Sequence, residues 1–294
     1  MLTGTGYLHN ITHAEKEVLL KIKGYLKNKH NIDGGIRWND FNILRFCRAR
    51  KFEVNKIVKM IDEFIIWFEN NKYNSIGEVD MKKYDNLKIW AENGYHFTDK
   101  HGRPVYIDLI DSLRTKEIFE NYTDPSLTLY YVQSYERLVN IILPECSRLM
   151  NKRIEQTLTI VDLGSVNIFK LFVGKVKAFV NIASEIGQNY YPELLGSMYI
   201  VNAGMLFSGI WMLIKQGLDT KTQNKINIVS GNGRKELQKV IDLDNLPKHF
   251  GGTSENKINE NHGPWKNELE KSYKDKTIFH HDQSIYQKYY PNLD

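Results

Sequence analysis

Two cysteines, Cys47 and Cys146, in 294 residues exclude a disulfide framework and a cysteine-rich zinc site. Both are expected to be reduced and buried. No stretch approaches the roughly 18 uncharged apolar residues of a spanning helix, so none is expected. The first 30 residues lack a basic-then-apolar segment. Asn10, His13, Glu15, Lys16 and Glu17 interrupt every apolar run there, and no secretory leader is expected. Gly-x-x-x-x-Gly-Lys-Ser/Thr, which wraps backbone N–H groups around phosphates, is missing. So are Gly-x-Ser-x-Gly and His-Glu-x-x-His. Ser230-Gly231-Asn232-Gly233-Arg234 comes nearest to a phosphate loop but lacks the dinucleotide spacing and reads as a strand-to-helix turn. His280-His281 lies in a polar tail and reads as a solvated pair. An enzyme would have to hide its chemistry in unmotivated residues, so neither catalysis nor a resident metal or cofactor is expected. The charge balance, 40 basic against 35 acidic residues, is too mild to call for a nucleic-acid partner. It suits an anionic membrane surface or phosphate ligands without predicting either.

What is present fits a globular chain, with 41% apolar and 26% charged residues and a length near two average domains. There is no internal repeat. Leu19, Ile22 and Leu26 sit at helical spacing before Gly34-Gly35. Asp40 is positioned to cap a helix carrying Ile43, Leu44 and Cys47, followed by Arg48, Arg50 and Lys51. A further helix presents Ile57, Met60, Ile61, Phe64 and Phe68 on one face. Residues 70–100 are polar and mixed and read as a joining segment. From His101 the period changes. Val105–Leu109, Thr157–Leu163, Ser197–Asn202 and Ile226–Ser230 read as strands. Asn121–Leu143, ended near Pro144, alternates with them as a helix, and Ile168–Ile186, Met205–Lys215 and Arg234–Ile241 do likewise. That alternation predicts βαβ units and a mostly parallel sheet. Gly251-Gly252 closes the pattern, and the tail beyond is polar with scattered aromatics.

Met205–Ile214 reads Met-Leu-Phe-Ser-Gly-Ile-Trp-Met-Leu-Ile, with no charge before Lys215. On a helix, Leu206, Phe207, Ile210, Trp211, Leu213 and Ile214 cover most of the circumference. Such a helix is either central to a core or faces something apolar outside the fold, and periodicity alone does not separate the two.

Several segments together resemble the Sec14-like (CRAL-TRIO) phosphatidylinositol transfer family. They are Ile43–Phe52 (ILRFCRARKF), Asp99–Tyr106 (DKHGRPVY), Thr159–Leu163 (TIVDL), Gln188–Glu193 (QNYYPE), Leu218-Asp219 with Thr222 and Lys225, and Asn245–Gly252 (NLPKHFGG). Their order and spacing cover about residues 35 to 252. The resemblance implies a small N-terminal helical part (1–80) and an α/β lipid-binding domain (81–252), followed by a C-terminal extension (253–294). The sheet would floor a lipid pocket closed by a gate helix, a position that Met205, Leu206, Phe207, Ile210, Trp211, Leu213 and Ile214 would fill.

Carried over position by position, the resemblance assigns Arg50, Lys51, Glu193, Thr222 and Lys225 to a phosphatidylinositol headgroup. Lys, Arg and hydroxyl donors suit a phosphodiester, and a carboxylate suits inositol hydroxyls. Arg48, Arg50 and Lys51 also fit a solvated helix end near its negative pole, and Glu193 a helix-start carboxylate after Pro192. Tyr95, Tyr106, Thr157 and Thr159 match phosphatidylcholine contacts, with tyrosine faces for the ammonium and two hydroxyls on one strand face. Strand propensity alone accounts equally for those four. Ile141 stands where some phosphatidylcholine-binding members carry a tyrosine, which weakens the choline assignment.

The expected activity is non-catalytic phospholipid exchange, with phospholipid and a transient membrane surface as partners and possible presentation to phosphoinositide kinases. The expected location is cytoplasmic, with the Golgi as a candidate membrane. A carrier of a tocopherol or sterol is the rival on the same fold, disfavoured by the charged positions. A small-GTPase-regulating module and an undetected hydrolase are the rivals from other classes.

Overall fold

The computed structural model describes residues 5–164, 174–204, 207, 211–212, 215 and 220–292. Three helices open the chain: α1 (His13–His30), α2 (Asp40–Ala49) and α3 (Val54–Asn70). Thr12 and Glu15 form a reciprocal capping box on α1. Asn39, and not Asp40, caps α2, accepting from the Asn42 N–H at 3.0 Å. Asp40 lies one position inside, fully buried and 2.8 Å from Lys23 Nζ. The apolar faces anticipated for these helices meet in one core that includes Leu19, Ile22, Leu26, Ile43, Leu44, Ile57, Ile61, Phe64 and Phe68.

After α4 (Asp85–Trp90) comes a strand that the polar reading of residues 70–100 does not anticipate, β1 (Asn93–Thr98). It pairs antiparallel with β2 (Pro104–Leu109). Then follow α5 (Thr115–Asn121), α6 (Asp124–Arg137), α7 (Leu143–Met150), β3 (Thr157–Asp162), α8 (Gly174–Asn189), β4 (Leu195–Val201), the short α9 (Thr220–Gln223), β5 (Ile226–Ile228) and α10 (Arg234–Val240). The part of the anticipated Ile168–Ile186 helix before Gly174 lies outside the described residues. Pro144 does not end the helix. The backbone stays helical through a π-helical turn, Leu138–Ile142, into α7, and the Asn140 carbonyl, four residues before Pro144, accepts from the Tyr286 hydroxyl at 2.6 Å in place of the missing N–H.

Strand order is β1-β2-β3-β4-β5, and β2 to β5 are parallel. Right-handed crossovers between sequential parallel neighbours put their connections on one face of the sheet. The opposite face is sealed. Val105, Ile107, Leu158, Ile160 and Val201 pack there against Leu237 and Ile241 at α10 and against Leu246, Phe250 and Ile258 beyond it. The chain after Gly252 adds α11 (Lys266–Lys274) and α12 (Ser284–Tyr289). It is part of the body: Trp265 is fully buried, and Ile285, Tyr286, Tyr289 and Tyr290 enclose Phe41 of α2. His280 is not a solvated residue. It is buried, with Nε2 at 2.6 Å from Glu145 of α7, and the Asp282 N–H donates to its Nδ1. His281 lies between Glu268 and Asp275.

Candidate phospholipid site

The face of the sheet turned toward the crossovers is only half covered. Register places Tyr95, Tyr106, Thr159, Met198 and Ile226 in one row across it, and Asn93, Asp108, Val161, Ile200 and Ile228 in the next. In β2 and β3 burial alternates: Tyr106, Asp108, Thr159 and Val161 are half-buried, while Val105, Ile107, Leu158 and Ile160 are sealed. α8 packs on α5 and α6. A half-open, mostly apolar sheet face inside a folded chain is the floor of a pocket.

At the C-terminal end of this floor, Phe207 and Trp211 stack at 6.5 Å between ring centroids. They rest on Ile110, Leu163, Ile200 and Ala203, with Met198, Ile226 and Ile228 alongside. Met212, beside Trp211, is 58% exposed. The remaining gate assignments, Met205, Leu206, Ile210, Leu213 and Ile214, lie outside the described residues.

A second group of predicted residues converges where α2, the turn before β4, and α9 meet. Glu193 Oε2 lies 2.9 Å from Lys221 Nζ, 3.9 Å from Lys225 Nζ and 3.8 Å from Arg48 Nε. Burial alone would raise the Glu193 carboxyl pKa, but Lys225, Lys221 and Arg48 outweigh it and hold the pKa below the ordinary value. Glu193 is therefore ionised at neutral pH. Its backbone takes φ of 61°. The Glu193 carbonyl accepts long hydrogen bonds from Arg45 Nη1 and Gln156 Nε2, each at 3.4 Å. Arg48, read from sequence as part of a solvated helix end, is instead buried. Its guanidinium lies 4.1 Å from the Tyr7 ring centroid, 3.3 Å from Glu155 Oε2 and 2.9 Å from the Gly6 carbonyl it donates to. The signal for it was available: a basic residue in the last turn of α2, three positions before Lys51.

Arg50 ends α2 half-buried, its Nη1 donating to the Ala49 carbonyl at 3.3 Å; the ion pairs of Glu193 among the described residues are those with Arg48, Lys221 and Lys225. Lys51 is exposed at φ of 51°. The Phe52 N–H reaches back to the Cys47 carbonyl at 2.8 Å, closing α2 as a Schellman turn without glycine. Thr222 is half-buried in α9, its carbonyl accepting from the Lys225 N–H at 3.1 Å. Lys51→Gly removes a left-handed strain of about 1 kcal/mol, so the melting temperature is expected to rise by roughly 2–4 °C. Phosphatidylinositol transfer should fall in the same variant if the side chain reaches the headgroup. A lowered melting temperature, read by circular dichroism, would refute the strain argument.

Of the four choline-lipid positions, Tyr95 and Tyr106 meet face to edge, 5.1 Å between centroids. Burial raises both phenol pKa values well above the ordinary one, keeping them protonated. Thr159 faces the pocket. Thr157 is buried, its hydroxyl donating to the Leu194 carbonyl at 3.4 Å. Ile141 is fully buried in the π-helical turn. Tyr130 of α6 lines the same cavity as Tyr95 and Tyr106, an aromatic contribution the sequence reading did not identify. Nor did it identify Asp108, whose carboxyl is pushed up to about 7 by burial against an opposing hydrogen bond from Asn93. Burial also lifts the Cys47 thiol to about 12 and raises that of Cys146, so both are free and unreactive. No described helix is long and apolar enough to cross a membrane, and no described group of His, Cys, Asp or Glu is arranged to hold a metal.

Residues 92–252 match the CRAL/TRIO domain, and residues 19–63 the CRAL/TRIO N-terminal domain. A SEC14 cytosolic factor of Yarrowia lipolytica is 36% identical over 267 residues, 89% of this chain and 53% of the relative. That of Kluyveromyces lactis is 35% identical over 265 residues, covering 87% of each chain. A phosphatidylinositol/phosphatidylcholine transfer protein of Arabidopsis thaliana, SFH12, is 32% identical over 231 residues, 76% of this chain and 42% of the relative. The chain thus spans about half the length of the Yarrowia and Arabidopsis relatives. Among solved structures, Sfh5 superposes with a TM-score of 0.60 over 84% of this chain and 90% of that one, at 21% identity, a likeness of fold. The chain belongs to the CRAL/TRIO family and is Sec14-like.

Proposed function

We propose that this chain is a phospholipid carrier: it extracts one phosphatidylinositol from a membrane, shields the acyl chains over the half-open sheet face, and exchanges that lipid for phosphatidylcholine. The half-open apolar face of an otherwise sealed sheet carries the reading. Each methylene moved from water onto it contributes about 0.8 kcal/mol, so no bond need be made or broken. Lys221, Lys225 and Arg48, gathered around Glu193, suit a phosphodiester beside inositol hydroxyls, and Arg50, Lys51 and Thr222 extend the same assignment. Tyr95, Tyr106, Thr157 and Thr159 are assigned to phosphatidylcholine. The gate is the segment around Trp211, with exposed Met212 its first contact with a bilayer. Phosphatidylinositol would be presented to phosphoinositide kinases at a cytoplasmic membrane surface, with the Golgi as the candidate membrane.

Mass spectrometry of lipid extracted from the purified protein tests this. Phosphatidylinositol and phosphatidylcholine together are expected at about one lipid per chain. A tocopherol or sterol in their place would return the fold to the rival carrier reading, and turnover of added phospholipid would make the chain an enzyme.

A further inference from the structure

Arg48 reaches the Glu193 cluster from α2, yet much of what holds it comes from the segment that precedes α1. Tyr7 of that segment is 2% exposed. Its N–H donates to Asn10 Oδ1 at 3.0 Å, and its carbonyl accepts from the Asn10 N–H at 2.9 Å, which closes a turn. Thr5 Oγ1 donates to Glu15 Oε1 at 2.7 Å and ties the same segment to the capped first turn of α1. The Tyr7 ring, fixed in this way, lies 4.1 Å from the Arg48 guanidinium, and the Gly6 carbonyl accepts from Arg48 Nη1 at 2.9 Å. At Gly6, where φ is 88°, a Cβ would stand 3.1 Å from Arg48 Cγ and 2.8 Å from the Phe52 ring, so glycine is what lets the backbone come this close. Arg48 Nη2 donates to Glu155 Oε2 at 3.3 Å. Nε is left over. It is buried without a hydrogen-bond partner among the described residues, and it lies 3.8 Å from Glu193 Oε2, beyond hydrogen-bond reach. Leaving a buried donor unpaired is costly, and a ligand acceptor arriving beside Glu193 would relieve it. Gln156 Nε2 links the two sides, 3.5 Å from Tyr7 Oη and 3.4 Å from the Glu193 carbonyl.

We infer that Tyr7 is a positioning residue for phosphatidylinositol: together with Gly6 it holds the Arg48 guanidinium so that Nε donates to the headgroup phosphodiester. The inference rests on the carrier reading and deepens it, because it makes the segment before α1 part of the inositol-lipid site. A phosphodiester oxygen is the better acceptor there than a hydroxyl, since a guanidinium bonds most strongly to an anion. The residues assigned to phosphatidylcholine, Tyr95, Tyr106, Thr157 and Thr159, lie on the sheet and do not include Arg48. Loss of the Tyr7 ring therefore shifts the preference between the two lipids, not merely the amount of folded protein.

The purified full chain and its variants are incubated with vesicles of equimolar phosphatidylinositol and phosphatidylcholine and re-isolated, and the ratio of the two bound lipids is read by mass spectrometry. Only folded, loaded protein contributes, so a partial loss of folding leaves this ratio unmoved. Tyr7→Leu keeps an apolar side chain but removes the aromatic face. It should lower bound phosphatidylinositol relative to phosphatidylcholine by about five- to tenfold. Tyr7→Phe keeps the face over the guanidinium and should hold the parent ratio to within about twofold. Gly6→Ala, with Tyr7 intact, should lower the ratio in the same direction by pushing the carbonyl off Arg48, and it decides the matter if Tyr7→Leu yields no folded protein. A parent-like ratio in Tyr7→Leu or in Gly6→Ala overturns the inference. So does an equal fall in Tyr7→Leu and Tyr7→Phe, which would place the effect in the hydroxyl. A parent chain that takes up neither lipid sinks the carrier reading and this inference with it. A parent that takes up both, with a ratio indifferent to Tyr7, leaves the carrier reading standing alone.

Discussion

Lys225→Ala is expected to cut vesicle-to-vesicle transfer of phosphatidylinositol by about ten- to a hundredfold, the loss of one charge-assisted hydrogen bond to a phosphate. The Lys225 side chain is 16% exposed and its Nζ lies 3.9 Å from Glu193 Oε2, so it carries charge at the site without filling core volume. Lys221 sits closer to the carboxylate but is 42% exposed, where solvent screening discounts it, so Lys221→Ala should cost less. Phosphatidylcholine transfer and the circular dichroism spectrum should be unchanged in both variants. Retained phosphatidylinositol transfer in Lys225→Ala would remove the residue from the headgroup site. Equal loss of both lipids with a lowered melting temperature would make the Glu193 cluster a structural clasp.

Legibility followed the range of the interactions. The strands β2, β3, β4 and β5 announce themselves by local pattern, and α3 by the spacing of Ile57, Met60, Ile61, Phe64 and Phe68. β1 was hidden because its alternation, Tyr-His-Phe-Thr, lasts only four residues and follows Asn-Gly, which reads as a turn. Its burial comes from chain far away: at Gly94 a Cβ would stand 2.5 Å from the Ile258 carbonyl. Pro144 misleads because the π-helical turn before it lets the helix run on through the proline. For the site, the resemblance supplied Glu193 and Lys225, which the fold brings together, but not Arg48, since its burial depends on Tyr7 and Glu155. His280 failed for the same reason. It looks like an ordinary surface residue until the chain beyond Gly252 folds back over α7, and nothing local encodes that return.

The same long-range logic locates the largest expected loss of stability, at Glu136. This α6 carboxylate is 1% exposed and takes both nitrogens of Arg37, at 2.5 and 2.8 Å. The Tyr191 hydroxyl donates to it at 2.7 Å and Asn140 Nδ2 at 3.2 Å. Arg37 lies between α1 and α2, so one carboxylate ties the N-terminal helices to α6 and to the turn before Glu193. Burial works against the charge on Arg37, yet Glu136 raises its pKa above the ordinary value, which marks the two as a mutually dependent pair. Glu136→Ala leaves a half-buried guanidinium, its side chain 22% exposed, and a buried phenol without their acceptor. The expected cost is about 3–5 kcal/mol, or a melting temperature lower by roughly 10 °C. Arg37→Met combined with Glu136→Leu removes both charges and restores apolar volume beside Phe68, whose ring lies 4.1 Å from the guanidinium. That double variant should lose much less than Glu136→Ala alone, because the penalty lies in the abandoned partner rather than in the missing bond. Thermal denaturation of the three proteins decides it. A Glu136→Ala chain within about 1 kcal/mol of the parent would mean that water reaches Arg37, and that packing between the N-terminal helices and α6, rather than this ion pair, holds the headgroup cluster in place.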